Sequence, residues 1–256
     1  MILAAGLGTR LRPLTERLPK VLVPVLGVPL LDRLRAYLGR HGCEALALNT
    51  HHLPQAVRAH LDAAAPATGA ALPPVRLFHE PTLLGTGGAL INAAPFWEAV
   101  PLLVWNGDIL AQVDPRALLA AHEAAQRAAP DAPLATLAVQ ERPSDSYLLV
   151  DADGAVCGLD SPRRGRRELL GSPRQPVRAL AFDGVSLLAP ALRERLPRGG
   201  TFDLVLALLD VIAGGGLVRS YDAGAAFYGT SGSPAQLAGL EAALAARPDV
   251  LAAWTP

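Results

Sequence analysis

A dominant sign of charge is what this chain most plainly lacks: its 256 residues carry 23 Lys and Arg against 23 Asp and Glu. With a formal net charge of zero there is no bulk field to draw it to nucleic acid or to an anionic membrane, so any phosphate it binds must be held by local geometry. Long apolar runs are missing as well. Although 51% of the residues are apolar, much of that share is alanine, and no run reaches the roughly 18 residues a membrane-spanning helix needs. Cysteine is scarce. Cys43 and Cys157 match no metal-ligand spacing, which argues for a reduced, cytoplasmic chain. The opening residues Met1–Arg10 lack the apolar core of a secretory leader. Internal repeats and long linkers are absent too. The length is near the limit for one hydrophobic core, so a single domain over 1–240 is expected, with 241–256 as a helix end and tail.

What is present alternates between strand and helix. Met1–Ala5 reads as a buried strand, short of a residue or two at its start, that feeds a glycine turn. Gly6–Pro29 is a loop without helical period. Leu30, Leu34 and Leu38 then mark an amphipathic helix over Pro29–Arg40, with Gly42 suited to its C-terminal cap. Strands follow at Ala45–Leu48, Val75–Phe78, Leu102–Trp105 and Leu134–Val139; helices fall at Pro54–Leu61, Gly88–Phe96 and Pro115–Ala128, with an Ala/Pro-rich loop at Ala63–Pro74. Tyr147–Val150 and Ala155–Leu159 flank Asp151–Gly154 as a β-hairpin. Beyond Arg163–Arg178, which holds six arginines, come a strand at Leu180–Leu188, a helix at Phe202–Ala213, a strand at Leu217–Tyr221 and a helix at Pro234–Ala246. This order predicts a doubly wound, mostly parallel, Rossmann-like α/β sheet with a small antiparallel part. Ligands of such sheets sit beyond the carboxyl ends of the strands, so the Gly6 loop, Glu80–Gly88 and Asn106–Asp108 are expected to line one cleft.

Gly6-Leu7-Gly8-Thr9-Arg10 after a strand offers backbone N–H groups to a phosphate. Taken alone it is equally a tight turn. It begins like a dinucleotide fingerprint, but position 11 is leucine rather than the third glycine, and no G-K-[ST] follows to make a Walker loop. The wider segment is more specific. Leu3-Ala4-Ala5-Gly6-Leu7-Gly8-Thr9-Arg10-Leu11-Arg12-Pro13-Leu14-Thr15, then Pro19-Lys20, Pro24-Val25 and Gly27-Val28-Pro29-Leu30, resembles the loop of the sugar-1-phosphate nucleotidyltransferases. The resemblance continues through Glu80–Gly88, Asn106-Gly107-Asp108 and Phe182-Asp183-Gly184-Val185, in the family's order, to about residue 240. Among its members the chain resembles the mannose-1-phosphate guanylyltransferases and the N-acetylmuramate-1-phosphate uridylyltransferases.

That resemblance implies an enzyme that joins a nucleoside triphosphate to a sugar 1-phosphate with Mg2+ and releases pyrophosphate. Arg10 and Lys20 would contact phosphates, and Asp108 would ligate magnesium. Leu3, Ala5, Gly6, Gly8, Thr9, Glu80, Gly85, Thr86 and Gly87 fall where the family meets the nucleotide, and Asn106 and Gly184 where it meets the sugar. Each has a plainer reading: Lys20 as a surface lysine, Asp108 as a turn residue after a strand. The six histidines form no ligand pattern, and His51 and His52 read as solvated loop residues. The arginines of 163–178 either close over a sugar phosphate or form a solvated loop.

Two departures stand out. The family's second magnesium aspartate aligns with Thr230, and a neutral hydroxyl is a weaker ligand. Where many members carry E-K-P, with the lysine on the sugar phosphate, this chain has Asp160-Ser161-Pro162. An active transferase and a catalytically impaired nucleotide binder of regulatory role therefore both remain open, with a dinucleotide oxidoreductase a distant third.

Overall fold

A computed structural model describes residues 1–63, 72–128 and 132–256; most of the loop expected over Ala63–Pro74 lies outside them. The first half of the chain runs β1 (Ile2–Leu3), β2 (Pro24–Val25), β3 (Val28–Pro29), α1 (Leu30–Arg40), β4 (Leu46–Thr50), α2 (Pro54–Ala63), β5 (Val75–His79), α3 (Gly85–Asn92), β6 (Leu102–Asn106), β7 (Ile109–Ala111) and α4 (Pro115–Ala128). The second half runs β8 (Ala135–Gln140), β9 (Tyr147–Val150), β10 (Val156–Ser161), β11 (Arg166–Leu169), β12 (Arg178–Leu188), α5 (Leu204–Ala213), β13 (Val218–Asp222), β14 (Tyr228–Thr230), α6 (Pro234–Ala245) and α7 (Pro248–Ala253). These elements pack as two compact units. One comprises Met1–Leu83, Trp105–Ala111 and Phe227–Pro256; the other Leu84–Val104 and Gln112–Ala226.

The first unit is built on parallel strands. Ile2 pairs with both Leu48 and Trp105, and Leu46–Thr50 pairs in register with Val75–His79. All five residues of β4 are buried, as expected of a parallel strand covered on both faces. Helix α1 follows the leucine spacing: Leu30, Leu34 and Leu38 are buried, and each contributes about 2 kcal/mol through that burial. Gly42 takes a positive φ beyond its end. The same helix holds the C-terminus. Buried Arg33 donates to the carbonyls of Val25 and Trp254, and Tyr37 stacks on Trp254 at 3.9 Å between ring centroids. The final segment is thus the helix α7 rather than a tail, because Trp254 gives it an apolar anchor. Gly6–Pro29, expected as plain loop, contains three 3-10 turns and the β2–β3 hairpin. Short i→i+3 bonds, such as Leu22 N–H to the Pro19 carbonyl at 2.8 Å, need no helical periodicity in the sequence.

The second unit carries strands in the order β11-β10-β9-β12-β8-β13, antiparallel except for β13 on β8. The expected hairpin forms around Asp151, whose carboxylate accepts from the N–H groups of Asp153 and Ala155. The arginine-rich stretch is exposed, as the plainer reading expects, but part of it is strand rather than loop. Arg166–Leu169 pairs with β10 as β11, because its charges find partners across the strands, Arg167 on Asp160 at 3.2 Å among them. Helix α3 starts at Gly85, three residues before the expected Gly88. Among the described residues no helix is long and apolar enough to cross a membrane.

Candidate active site

The site of the first unit grows from the ends of β1 and β6. Gly107 N–H donates to the Leu3 carbonyl at 2.9 Å, and a Cβ at Gly107 would lie 2.7 Å from that oxygen. Only glycine permits this approach, which turns the chain so that Asp108 follows directly. Asp108 is held from a second direction. β7 pairs with β14, and Ser231 N–H donates to the Asp108 carbonyl at 2.9 Å. Lys20 reaches the same point from the glycine loop, because Val21, Leu22 and Val23 beside it are buried and fix its backbone. Its ammonium donates to Asp108 Oδ2. Both side chains are mostly but not fully enclosed, which is the condition for a charged pair that a ligand can still reach.

The glycine loop is pinned by Thr15, whose hydroxyl donates to the Gly8 carbonyl at 2.8 Å. Gly6 is exposed, and a Cβ there would meet nothing within 4 Å. Packing does not require glycine at that position. Thr9 and Arg10 are also exposed, while Ala5 is buried and Leu3 half-buried. The Arg10 guanidinium sits 3.0 Å from where a Cβ on Gly232 would stand. Thr230 lies in β14 opposite Ile109, and Asn106 is the last residue of β6, paired with Leu3.

Glu80 packs inside the first unit. It is fully buried, and its carboxylate accepts from Asn49 Nδ2 at 2.7 Å, while Asn49 Oδ1 accepts from Ala4 N–H at 2.7 Å. Glu80 is therefore tied to the start of the glycine loop through Asn49. No motif pointed to Asn49; its only sequence signal was a polar residue at the end of an apolar strand. The two histidines are half-buried, and each meets a backbone carbonyl. His51 Nδ1 lies 2.8 Å from the Glu80 carbonyl, and His52 Nε2 lies 2.7 Å from that of Thr15.

Gly85, Thr86, Gly87 and Gly184 belong to the second unit. A Cβ at Gly85 would come within 2.5 Å of the Phe202 carbonyl oxygen, and one at Gly87 within 2.1 Å of its ring. Close packing therefore demands these glycines whatever the ligand. Thr86 accepts from Leu204 N–H at 2.8 Å and donates to Asp203 at 3.1 Å, so it helps cap α5. Gly184 sits at φ +69° inside a bulge of β12, where Phe182 pairs with Val139 but Ser186 with Leu137. Beside it Asp183 is fully buried. Arg142 Nε donates to its Oδ1 at 3.1 Å, and Oδ2 has no hydrogen-bond partner among the described residues. Burial pushes the Asp183 carboxyl up to about 6, against the attraction of Arg142 and with a smaller push from Asp222.

Among the described residues no three His, Cys, Asp or Glu side chains gather into a metal cluster. Magnesium asks for less, since it is commonly held by one or two carboxylates while phosphates and waters supply the rest. Asp108, anchored through its backbone and with Oδ1 not engaged by Lys20, fits that requirement.

The sequence profile of the nucleotidyl transferase family matches residues 1–160. The chain is 35% identical over 123 residues to a mannose-1-phosphate guanylyltransferase of Mycobacterium tuberculosis, covering 48% of this chain and 33% of that protein. It is 40% identical over 108 residues to an N-acetylmuramate alpha-1-phosphate uridylyltransferase of Caulobacter vibrioides, covering 42% and 44% respectively. The matched region thus spans less than half the length of either relative. In three dimensions the chain is similar to HddC from Yersinia pseudotuberculosis, with a TM-score of 0.73 at 23% identity over 95% of this chain and 97% of that one. An apo UDP-glucose pyrophosphorylase gives 0.72 at 17% identity over 96% and 98%. These two likenesses establish the fold.

Proposed function

The chain belongs to the nucleotidyl transferase family, and on that footing we propose that it joins a nucleoside triphosphate to a sugar 1-phosphate and releases pyrophosphate. The observation that carries the reading is the Lys20–Asp108 pair, set where two parallel strands end and next to a glycine loop whose Gly6 is open to an approaching group. Repulsion between two phosphorylated substrates is the main barrier to this reaction, so positioning and charge neutralisation do most of the work. A sugar phosphate oxygen attacks the α-phosphorus. The new P–O bond forms as the bond to the β-phosphate oxygen breaks, and that electron pair leaves with pyrophosphate. No general base is needed, because a phosphate monoester with a second pKa of about 6 is largely dianionic at neutral pH.

In this reading Lys20 and Arg10 meet phosphate oxygens, and the backbone of Leu3, Ala5, Gly6, Gly8 and Thr9 frames the nucleotide. Arg10 suits the role because it has no carboxylate partner among the described residues. Asn106 and Gly184 are assigned to the sugar side. Magnesium would be held by Asp108 together with substrate phosphates and would draw negative charge from their oxygens. Lys20 then has two roles: it fixes the Asp108 carboxylate, and it presents positive charge to the triphosphate.

A second reading has one observation in its favour. Thr230 stands where the family's second metal aspartate is expected, so the chain would bind a nucleotide or nucleotide sugar with little turnover. Pyrophosphate release, assayed over a panel of triphosphates and sugar 1-phosphates with and without magnesium, decides between them. Magnesium-dependent release with at least one pair supports the transferase. Nucleotide binding by calorimetry without release from any pair supports the binder.

A further inference from the structure

Six arginines crowd residues 163–178, and five of them are neutralised. Arg163 lies 2.9 Å from Asp145, Arg166 2.5 Å from Glu168, Arg167 3.2 Å from Asp160, Arg174 3.0 Å from Asp153 and Arg178 3.4 Å from Glu141. Arg164 has no ion-pair or hydrogen-bond partner among the described residues. Its backbone is nonetheless ordered. It stands in the turn joining β10 to β11, closed by Gly165 N–H on the Pro162 carbonyl at 3.1 Å and by the pairing of Ser161 with Arg166.

Arg164 also lines a cavity of about 430 Å³ in the second unit. Ser161 and Ser146 lie in its wall with their hydroxyls 2.8 Å apart, and Ser161 is only 3% exposed. Phe182 and Leu206 supply apolar surface. Asp203 is there too; its oxygens accept from Leu206 N–H and the Thr86 hydroxyl, which hold the carboxylate on the α5 cap while it keeps its negative charge. A cavity with one cation free of an ion pair, a hydroxyl pair of which Ser161 is buried, and apolar walls suits a hexose-sized ligand bearing one anionic group. A triphosphate would bring several negative charges to a single guanidinium.

We propose that Arg164 reads the acceptor substrate: its guanidinium receives an anionic group of the sugar phosphate whose ring occupies this cavity. The identity of the ligand rests on the transferase reading above; the geometry of the receptor does not. A guanidinium pairs with phosphate or carboxylate through charge-assisted hydrogen bonds, whose loss weakens binding by about 10- to 100-fold. The anion is either the 1-phosphate itself or a carboxylate elsewhere on the sugar.

Calorimetric titration, which needs no turnover, tests this with mannose 1-phosphate, N-acetylglucosamine 1-phosphate and N-acetylmuramate 1-phosphate. R164A is expected to weaken sugar phosphate binding by about 10- to 100-fold and R164K by less. R163A, a loop arginine with a partner of its own, should change affinity less than about twofold, as should R164A toward GTP and UTP. In pyrophosphate-release kinetics the loss should appear in the KM for sugar phosphate more than in kcat. Equal losses with all three ligands assign the 1-phosphate; a loss confined to N-acetylmuramate 1-phosphate, the ligand with a carboxylate, assigns that group. Wild-type affinity in R164A overturns the proposal. So does an equal loss in R163A, which would mean bulk loop charge, and so does failure of the wild-type protein to bind any of the three. Weakened binding in R164A by a protein that never releases pyrophosphate would leave Arg164 as assigned and refute the transferase reading. Normal turnover unaffected by R164A would do the reverse.

Discussion

Replacing Asp183 by Asn should make the protein more stable at pH 8, even though it removes the charge that faces Arg142. The carboxyl is raised from the ordinary 3.8 to about 6 because burial penalises its charge more than Arg142 favours it. A shift of about two pH units corresponds to about 3 kcal/mol, the cost of ionising this group in the folded chain rather than the unfolded one. The folded state holds the extra proton between pH 3.8 and about 6. Stability from this group is therefore fully present below the lower value and is lost as pH rises through the upper one. Asparagine copies the neutral form and still offers Oδ1 to Arg142 Nε. Its amide nitrogen, however, enters the place of an oxygen that already lacks a partner, which offsets part of the gain. A net increase of about 1–2 kcal/mol at pH 8 remains, and it becomes a loss of about 1 kcal/mol at pH 4, where the wild-type carboxyl is already mostly neutral and only the offset is left. Urea denaturation of both proteins at several pH values, followed by far-UV circular dichroism, measures it. If the variant is less stable than wild type by 1 kcal/mol or more at pH 8, the Arg142 pairing outweighs burial and the reasoning is wrong.

Asp108→Asn should keep the fold and lower pyrophosphate release by about 10²-fold or more, since it removes the one carboxylate assigned to magnesium; near wild-type turnover would remove that assignment. Thr230→Asp should raise the rate at limiting magnesium and little at saturation, because a hard dication responds to ligand charge. A lower rate at every magnesium concentration would instead show that the Thr230 hydroxyl serves the substrate. Asn49→Ala deprives buried Glu80 of one donor and Ala4 N–H of its acceptor, so a loss of about 2–4 kcal/mol is expected in urea melts. Unchanged stability there would mean that water or a side-chain shift replaces both bonds.

Much of the parallel unit was legible in residue order. Apolar β4 and the leucine spacing of α1 are local patterns, and helix or strand follows from them because burial rewards one periodicity at a time. The glycine loop, Lys20 and Asp108 could be picked out for the same reason, since each lies in a contiguous motif. What the tertiary structure alone decided was partnership. Lys20 and Asp108 are 88 residues apart, and no periodicity links them. Glu80 is paired with Asn49, 31 residues earlier, and nothing in either local segment announces that bond. Gly85 and Gly87 resemble the family's nucleotide-facing loop, and only the fold shows that the carbonyl and ring of Phe202 fill the space beside them. The arginine-rich stretch is the sharpest case. Composition shows six like charges in a row of sixteen residues, which reads as a repelling, solvated loop. Only folding brings Asp145, Asp153, Asp160 and Glu141 opposite them, and only after five charges are paired does Arg164 emerge as the one left over. Sequence sets which charges exist; the free energy of each depends on what stands within a few ångströms, and that is a property of the fold.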